Sequence, residues 1–141
     1  QVGVLESGLD QLRPLGRLAH VAPPAGARAP RVPRSRVPLA PARDLAAAAL
    51  DAIGADLPLS GDLLVMVNGM GGTPLLELYV LFNEVRQYLE GHGARIARNL
   101  VGNYITSLEM QGFSVTVCRL TDTLTRLWDA PVDTPALRWG R

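Results

Sequence analysis

Residues 63–79 read Leu-Leu-Val-Met-Val-Asn-Gly-Met-Gly-Gly-Thr-Pro-Leu-Leu-Glu-Leu-Tyr, and they constrain the fold more than any other stretch. The apolar run Leu63 to Val67 reads as a buried strand. A glycine-rich turn follows. Thr73 then has the chemistry of a helix N-cap and Pro74 that of the first helical residue. A strand, a glycine loop and a helix start in this order aim backbone N–H groups at one point. Asn68, Gly69, Gly71, Gly72 and Thr73 are therefore the candidate anion-binding loop. The same pattern is also an ordinary sharp turn from strand to helix. No Lys follows and the P-loop spacing is absent, so the chain alone is not expected to bind ATP.

The flanking pattern extends this unit in both directions. Pro41 to Ile53 is an Ala-rich helix with Leu45, Ala49 and Leu50 near one face and Gly54 ending it. Pro74 to Leu89 is predicted as a long helix whose apolar positions are Leu75, Leu78, Tyr79, Phe82, Val85 and Leu89, with Gly91 as its stop. Arg95 to Val101 reads as a second strand and Tyr104 to Met110 as a turn or short helix. Gly112 to Leu120 is a third strand, with Phe113, Val115 and Val117 on one face and Ser114, Thr116 and Cys118 on the other. Asp122 to Trp128 is a short helix, and a Pro-broken tail runs from Ala130. The expected class is α/β, a layered sheet with flanking helices, preceded by a Pro/Arg-rich irregular segment.

That segment is residues 1–36, and the folded domain is expected over 37–141. Seven of the eleven prolines lie in residues 1–41. His20 to Arg36 offers no aromatic or long aliphatic side chain to bury, so it cannot offset its own ordering entropy. A short helical piece is expected around Glu6 to Leu12. Formal charge divides at the same place, +4 over residues 1–45 and −3 over 46–141, and all fourteen basic residues are Arg. The net charge of +1 gives no reason to expect a nucleic-acid partner. The run Arg28, Arg31, Arg34 and Arg36 lacks interleaved aromatics to stack bases and reads as a solvated linker. No apolar run approaches the roughly 20 residues that span a bilayer. One cysteine, Cys118, cannot form an internal disulfide, and a reducing cytoplasm fits. His92, between Gly91 and Gly93, reads as part of a helix-terminating turn. His20 has no acid near it in sequence, and no cluster has metal-ligand spacing, so neither metal nor cofactor is implied. Ser107 reads as satisfying backbone groups before the third strand. Asn99, Asn103 and Tyr104 form a polar group after the second. The start at Gln1, without Met or leader, reads as a fragment or processed piece.

Four ordered blocks carry a resemblance. They are the loop stretch above, Arg98-Asn99-Leu100-Val101-Gly102-Asn103-Tyr104, Thr106-Ser107-Leu108-Glu109-Met110-Gln111-Gly112-Phe113-Ser114, and Trp128-Asp129-Ala130-Pro131-Val132-Asp133-Thr134-Pro135-Ala136-Leu137. With a weaker start at Arg36-Val37-Pro38-Leu39-Ala40, residues 36–141 resemble the C-terminal domain of the dihydroxyacetone-binding subunit of dihydroxyacetone (glycerone) kinase. The resemblance implies a subunit that presents dihydroxyacetone, held as a hemiaminal on a histidine, to a separate nucleotide-carrying subunit or domain. A homodimer is a further expectation. In the family that histidine lies in a Gly-Ile-His-Gly-Glu-Pro-Gly motif just before the Arg-x-Arg-Val-Pro-Leu block. The matching place here, Ala27 to Pro33, reads Ala-Arg-Ala-Pro-Arg-Val-Pro and has no histidine. No catalytic residue is therefore assigned, and substrate-binding residues stay unassigned.

Two functional classes follow. One is the C-terminal part of a kinase substrate-binding subunit, incomplete and inactive alone. The other is a non-catalytic remnant or a protein-interaction module. The abrupt loss of resemblance upstream of about Arg34 reads as a change of reading frame or a joined fragment. Trypsin is expected to cut at Arg28, Arg31 and Arg34 well before it cuts within residues 40–137, because a Pro-rich, core-poor backbone is accessible to protease. Mass spectrometry of timed digests checks this, and protection of those three arginines would mean that the segment is folded.

Overall fold

The computed structural model describes residues 2–9, as backbone, and residues 40–140. Its elements are β1 (Val2–Leu9), α1 (Ala42–Gly54), β2 (Gly61–Gly69), α2 (Leu75–Gly91), β3 (Ala94–Gly102), β4 (Gln111–Arg119), α3 (Asp122–Trp128), β5 (Val132–Asp133) and β6 (Arg138–Trp139). Four strands form one mixed sheet in the order β1-β4-β2-β3. β2 pairs with β3 in parallel and with β4 antiparallel, and β4 pairs antiparallel with β1.

Alternation along β2 and β4 decides which face holds the helices. Leu63, Val65 and Val67 of β2 are fully buried, and across the ladder Val65 faces Val117 while Val67 faces Val115. These residues and Phe113 make one apolar face, as their period of two requires. Leu45, Ala46, Ala49, Leu50 and Ile53 of α1 join the same core, as do Leu78, Leu81, Val85 and Leu89 of α2. Burying each such side chain contributes about 1.5–3 kcal/mol before entropy is counted. The opposite face of the sheet carries Leu64, Met66, Thr116 and Cys118, with α3 laid along it. No helix is long and apolar enough to cross a membrane among the described residues.

β3 is the sheet's edge strand and has a register shift opposite Leu63/Leu64, where Ile96 faces Leu63 but Arg98 faces Leu64. The extra residue, Ala97, puts Ile96 and Val101 against the core and leaves Arg98 on the α3 side. There the Arg98 guanidinium grips Asp129 in a two-pronged pair, Nε to Oδ1 at 2.7 Å and Nη2 to Oδ2 at 2.6 Å. The hydrogen bond from Arg98 holds the Asp129 carboxyl below its ordinary range.

Four expectations need correction. Glu6 to Leu9 belong to strand β1, because the edge of β4 offers a full row of backbone partners from Cys118 to Gln111. Residues 2–9 are thus not part of an irregular segment, and residues 10–36 lie outside the described residues. The buried stripe of α2 is Leu78, Leu81, Val85 and Leu89; Leu75 and Tyr79 are instead about half exposed, because at 100° per residue they stand to the side of that stripe, in line with the exposed Asn83 and Arg86. Tyr104 to Met110 is an irregular loop. The tail after α3 forms the small hairpin β5–β6, closed by the Trp139 indole N–H donating to the Ala130 carbonyl at 3.0 Å.

The two helices are fastened at their far end by Tyr88, whose hydroxyl donates to Asp51. His92 closes α2 as expected for a terminating turn, stacking on the Tyr88 ring at 4.2 Å and hydrogen-bonding the Tyr88 carbonyl through Nδ1. The bond to Asp51, then burial, then the Asp51 charge push the Tyr88 phenol up from 10.0 to about 12. A raised pKa means that the native state holds this proton more tightly than the unfolded chain does. The contribution is complete below pH 10.0 and is lost as pH rises toward about 12. Urea midpoints measured across that window should fall for the natural chain, and Tyr88→Phe should flatten this part of the fall.

Candidate functional site

β2 and β3 run parallel and end together at Gly69 and Gly102, so the loops that follow them share one end of the sheet. The N-terminal turns of α1 and α2 and the start of β4 lie at that end too. Ligands of open α/β sheets bind outside the carboxyl ends of parallel strands. A cavity of about 480 Å³ opens there, between Ala42 and Leu45 of α1, the Gly72-Thr73-Pro74 turn, and Phe113 of β4. Its walls are mostly apolar. Glu77 and Gln111 supply the long polar side chains.

The candidate loop is built by interlocking two turns. Asn68 is 1% exposed, and its carboxamide does not face the cavity. Its Oδ1 accepts from the backbone N–H of Tyr104 at 2.8 Å and of Ile105 at 2.9 Å, and its Nδ2 donates to the Ile105 carbonyl at 2.7 Å. Gly71 N–H donates to Asn103 Oδ1 at 3.2 Å, Gly72 N–H to the Met110 carbonyl at 3.0 Å and Met70 N–H to the Gly112 carbonyl at 3.1 Å. Ser107 Oγ donates to the Met70 carbonyl at 2.6 Å and accepts from Met110 N–H, which is the backbone role its sequence context suggested.

The glycines are there for close approach. Gly71 has φ +101°, and a Cβ on it would lie 2.5 Å from the Ser107 carbonyl oxygen. A Cβ on Gly72 would lie 2.4 Å from that of Glu109. Thr73 is not the N-cap expected from Thr-Pro. Its hydroxyl donates to the Gly112 carbonyl at 2.9 Å and accepts from Gly112 N–H at 2.8 Å, and Pro74 occupies the cap position without a side-chain bond. The start of β4 outcompetes the helix for that oxygen.

The structure thus brings all five candidate residues, Asn68, Gly69, Gly71, Gly72 and Thr73, to one end of the sheet, with Asn103, Ser107 and Gly112 as their partners. The loop amides of Met70, Gly71 and Gly72 donate within the chain. Glu77 and Gln111 were not singled out from the sequence, where a lone Glu and a lone Gln carry no motif; only the fold makes them neighbours. Among the described residues no group of three or more His, Cys, Asp or Glu is placed to hold a metal ion. Cys118 lies on the opposite face of the sheet, in an apolar groove under α3.

This end of the sheet contains three of the four sequence blocks, and comparison with known proteins identifies what they belong to. Residues 32–136 match the Dak1 domain, and the chain is a member of the Dak1 domain family. It is 49% identical over 83 residues to the dihydroxyacetone-binding subunit DhaK of the PEP-dependent dihydroxyacetone kinase of Escherichia coli (strain K12), covering 58% of this chain and 23% of that protein. It is 39% identical over 113 residues to the D-erythrulose kinase of Mycolicibacterium smegmatis, covering 79% of this chain and 19% of that one. The chain therefore spans less than a quarter of the length of these relatives. A solved structure described as "Regulation of the dha operon of Lactococcus lactis" shares the fold, with TM-score 0.73 over 96% of this chain and 41% of its own, at 22% identity.

Asn68→Ala should cost about 2–3 kcal/mol, because two backbone N–H groups lose a buried acceptor. Gly72→Ala should cost about 1–3 kcal/mol through the clash with the Glu109 carbonyl. Asn103→Ala, which removes one exposed hydrogen bond, should cost no more than about 1 kcal/mol. Urea unfolding of the three variants checks the order. Equal costs at Asn68 and Asn103 would contradict the clasp.

Proposed function

We propose that this chain is the C-terminal part of a dihydroxyacetone-binding kinase subunit, inactive alone. The Dak1 match over residues 32–136 carries the reading, and relatives named for dihydroxyacetone and erythrulose phosphorylation support it. The cavity at the carboxyl end of β2 is the proposed substrate-facing surface of the complete protein. It is bounded by Ala42, the first residue of α1, just downstream of the Arg36-Val37-Pro38-Leu39 block. In the complete protein dihydroxyacetone is the substrate, and a nucleotide-carrying subunit or domain is the partner. A homodimer and a cytoplasmic location belong to the same reading, as does a division into residues 1–36 and 37–141.

Two sequence facts support inactivity. Ala27 to Pro33 contains no histidine to capture the carbonyl, and the chain has no Lys to meet a phosphate. We further assign Asn68, Gly69, Gly71, Gly72 and Thr73 to the framework of the site rather than to an anion cradle, since their neighbourhood of N–H groups is already engaged. Inorganic phosphate should leave the loop amide resonances unmoved. The alternative, a non-catalytic interaction module, draws its support from the exposed apolar residues at the same end.

Purified chain, dihydroxyacetone and either ATP or a phosphoprotein donor should give no dihydroxyacetone phosphate above a buffer blank in a coupled assay. Turnover above the blank would overturn the proposal of inactivity. Resequencing the locus bears on the missing histidine. Under the reading-frame explanation, a one-base correction restores a Gly-Ile-His-Gly-Glu-Pro-Gly-like run before Arg36. If every frame lacks that histidine, the reading-frame explanation fails and the non-catalytic reading gains.

A further inference from the structure

Asn68 is followed by Gly69, the one Asn-Gly step in the sequence. Such a step is chemically short-lived in an open chain, because a glycine amide has no side chain to hinder its attack on the neighbouring carboxamide. The fold nevertheless calls for both residues. Asn68 supplies the three hydrogen bonds that hold the turn after β3. A Cβ on Gly69 would push the Asn103 carboxamide away from Gly71 and lie 2.8 Å from Cδ1 of the buried Leu78. Packing therefore places a labile pair at the end of β2, where the clasp depends on it.

The closed clasp holds the reaction off. Attack requires the Gly69 nitrogen to swing toward Asn68 Cγ, which takes Asn68 out of the extended conformation. Both residues are still in the ladder, Asn68 opposite Ser114 and Gly102 and Gly69 opposite Phe113. The carboxamide is tied at both ends, and Asn68 is 1% exposed, so water has little access to it. One feature acts in the opposite direction. The Tyr104 and Ile105 N–H groups that bond Oδ1 are arranged like an oxyanion hole and would stabilise the charge of a tetrahedral centre at Cγ. Geometry decides between the two, since charge stabilisation acts only after the nitrogen and Cγ have met.

We propose that Asn68-Gly69 is a deamidation site gated by local opening of the clasp, and that its conversion is one-way for the fold. When the end of β2 opens, the Gly69 nitrogen bonds to Asn68 Cγ, the Cγ–Nδ2 bond breaks, and ammonia leaves with the Gly69 proton. The product is a cyclic imide. Water then adds to one of its two carbonyl carbons. Opening at the side-chain carbonyl gives an aspartate, and opening at the main-chain carbonyl gives an isoaspartate. Neither rebuilds the clasp. An aspartate has no donor for the Ile105 carbonyl and places a negative charge in a buried position. An isoaspartate adds a carbon to the main chain and moves Gly69 out of register with Phe113.

Timed incubation of the full chain in mildly alkaline buffer, native and in guanidinium chloride, tests this. Peptide mapping by mass spectrometry locates each amide-to-acid conversion, and enzymatic methylation reports isoaspartate. Asn83, Asn99 and Asn103, none followed by Gly, are internal references. Conversion at Asn68 should be at least about tenfold faster in the denatured chain, the factor for an opening of about 1.4 kcal/mol. Ser107→Ala removes the tie to the Met70 carbonyl and should speed native conversion about fivefold, the factor for a hydrogen bond of about 1 kcal/mol, with the denatured rate unchanged. Tyr88→Phe, which loosens the far end of the helices, should leave the native rate as it is. The converted chain, separated by its added negative charge, should unfold at lower urea than the unconverted one. Equal rates in the two states, or no conversion at Asn68 in either, would overturn the proposal. A faster native rate would also overturn it and make the two amides a working oxyanion hole. An unmoved rate in Ser107→Ala, or an equal acceleration in Tyr88→Phe, would refute gating by the clasp, and an unchanged urea midpoint after conversion would refute the one-way step.

Discussion

Asn68 stands where β2 runs out of strand, and its side chain takes over from the ladder. A β-strand satisfies its neighbours' backbone groups through its own; past Gly69 that supply ends, and the turn after β3 still has N–H and C=O groups to pair. The Asn68 carboxamide has one acceptor and one donor end, and both are used on Tyr104 and Ile105. A carboxylate there would have no donor for the Ile105 carbonyl, and an aliphatic side chain would leave three backbone groups unpaired. Everything at the carboxyl end of the sheet follows from this clasp. It sets the height of the 103–110 loop, which sets how closely Gly71 and Gly72 must pass it, which in turn sets where Pro74 can start α2.

That dependence explains what the glycines mean. A glycine-rich turn between strand and helix can free N–H groups for an anion or bring two backbones into contact, and the sequence pattern is the same for both. Here the carbonyl oxygens of Ser107, Leu108 and Glu109 occupy the space that side chains at Gly71 and Gly72 would fill. The turn is packed, and its amides are used.

The periodic parts of this fold were legible from sequence and the non-local parts were not. Phe113, Val115 and Val117 alternate with Ser114, Thr116 and Cys118 strictly enough to place β4 and its two faces, and Leu45, Ala49 and Leu50 place α1 on the core. β1 was missed because its strand state comes from pairing with β4, not from its own residues. Thr73 was misjudged because a Thr-Pro pair favours an N-cap locally, while the competing partner, Gly112, lies 39 residues away. Periodicity drew Leu75 and Tyr79 into the α2 stripe because spacings of three and four link apolar residues across more of the helix circumference than the sheet and α1 cover. Glu77 and Gln111 were invisible as a pair because 34 residues separate them, and only the packing of α2 beside the start of β4 brings both to the cavity.

The first turns of α2 carry apolar side chains, Leu75, Leu76, Tyr79 and Val80, that remain exposed outside the core. Apart from Glu77, the first two turns of α2 are apolar, and their outward leucines gain nothing from water. The same end of the sheet carries the cavity with Glu77 in its wall, the start of α1 and the exposed side chains of Ile105 and Leu108. Rigidity at Asn68 and exposure at Leu76 are then two parts of one arrangement. The clasp fixes the loop that carries Ile105 and Leu108, and it does so at the end of the sheet where α2 begins with its outward leucines in water.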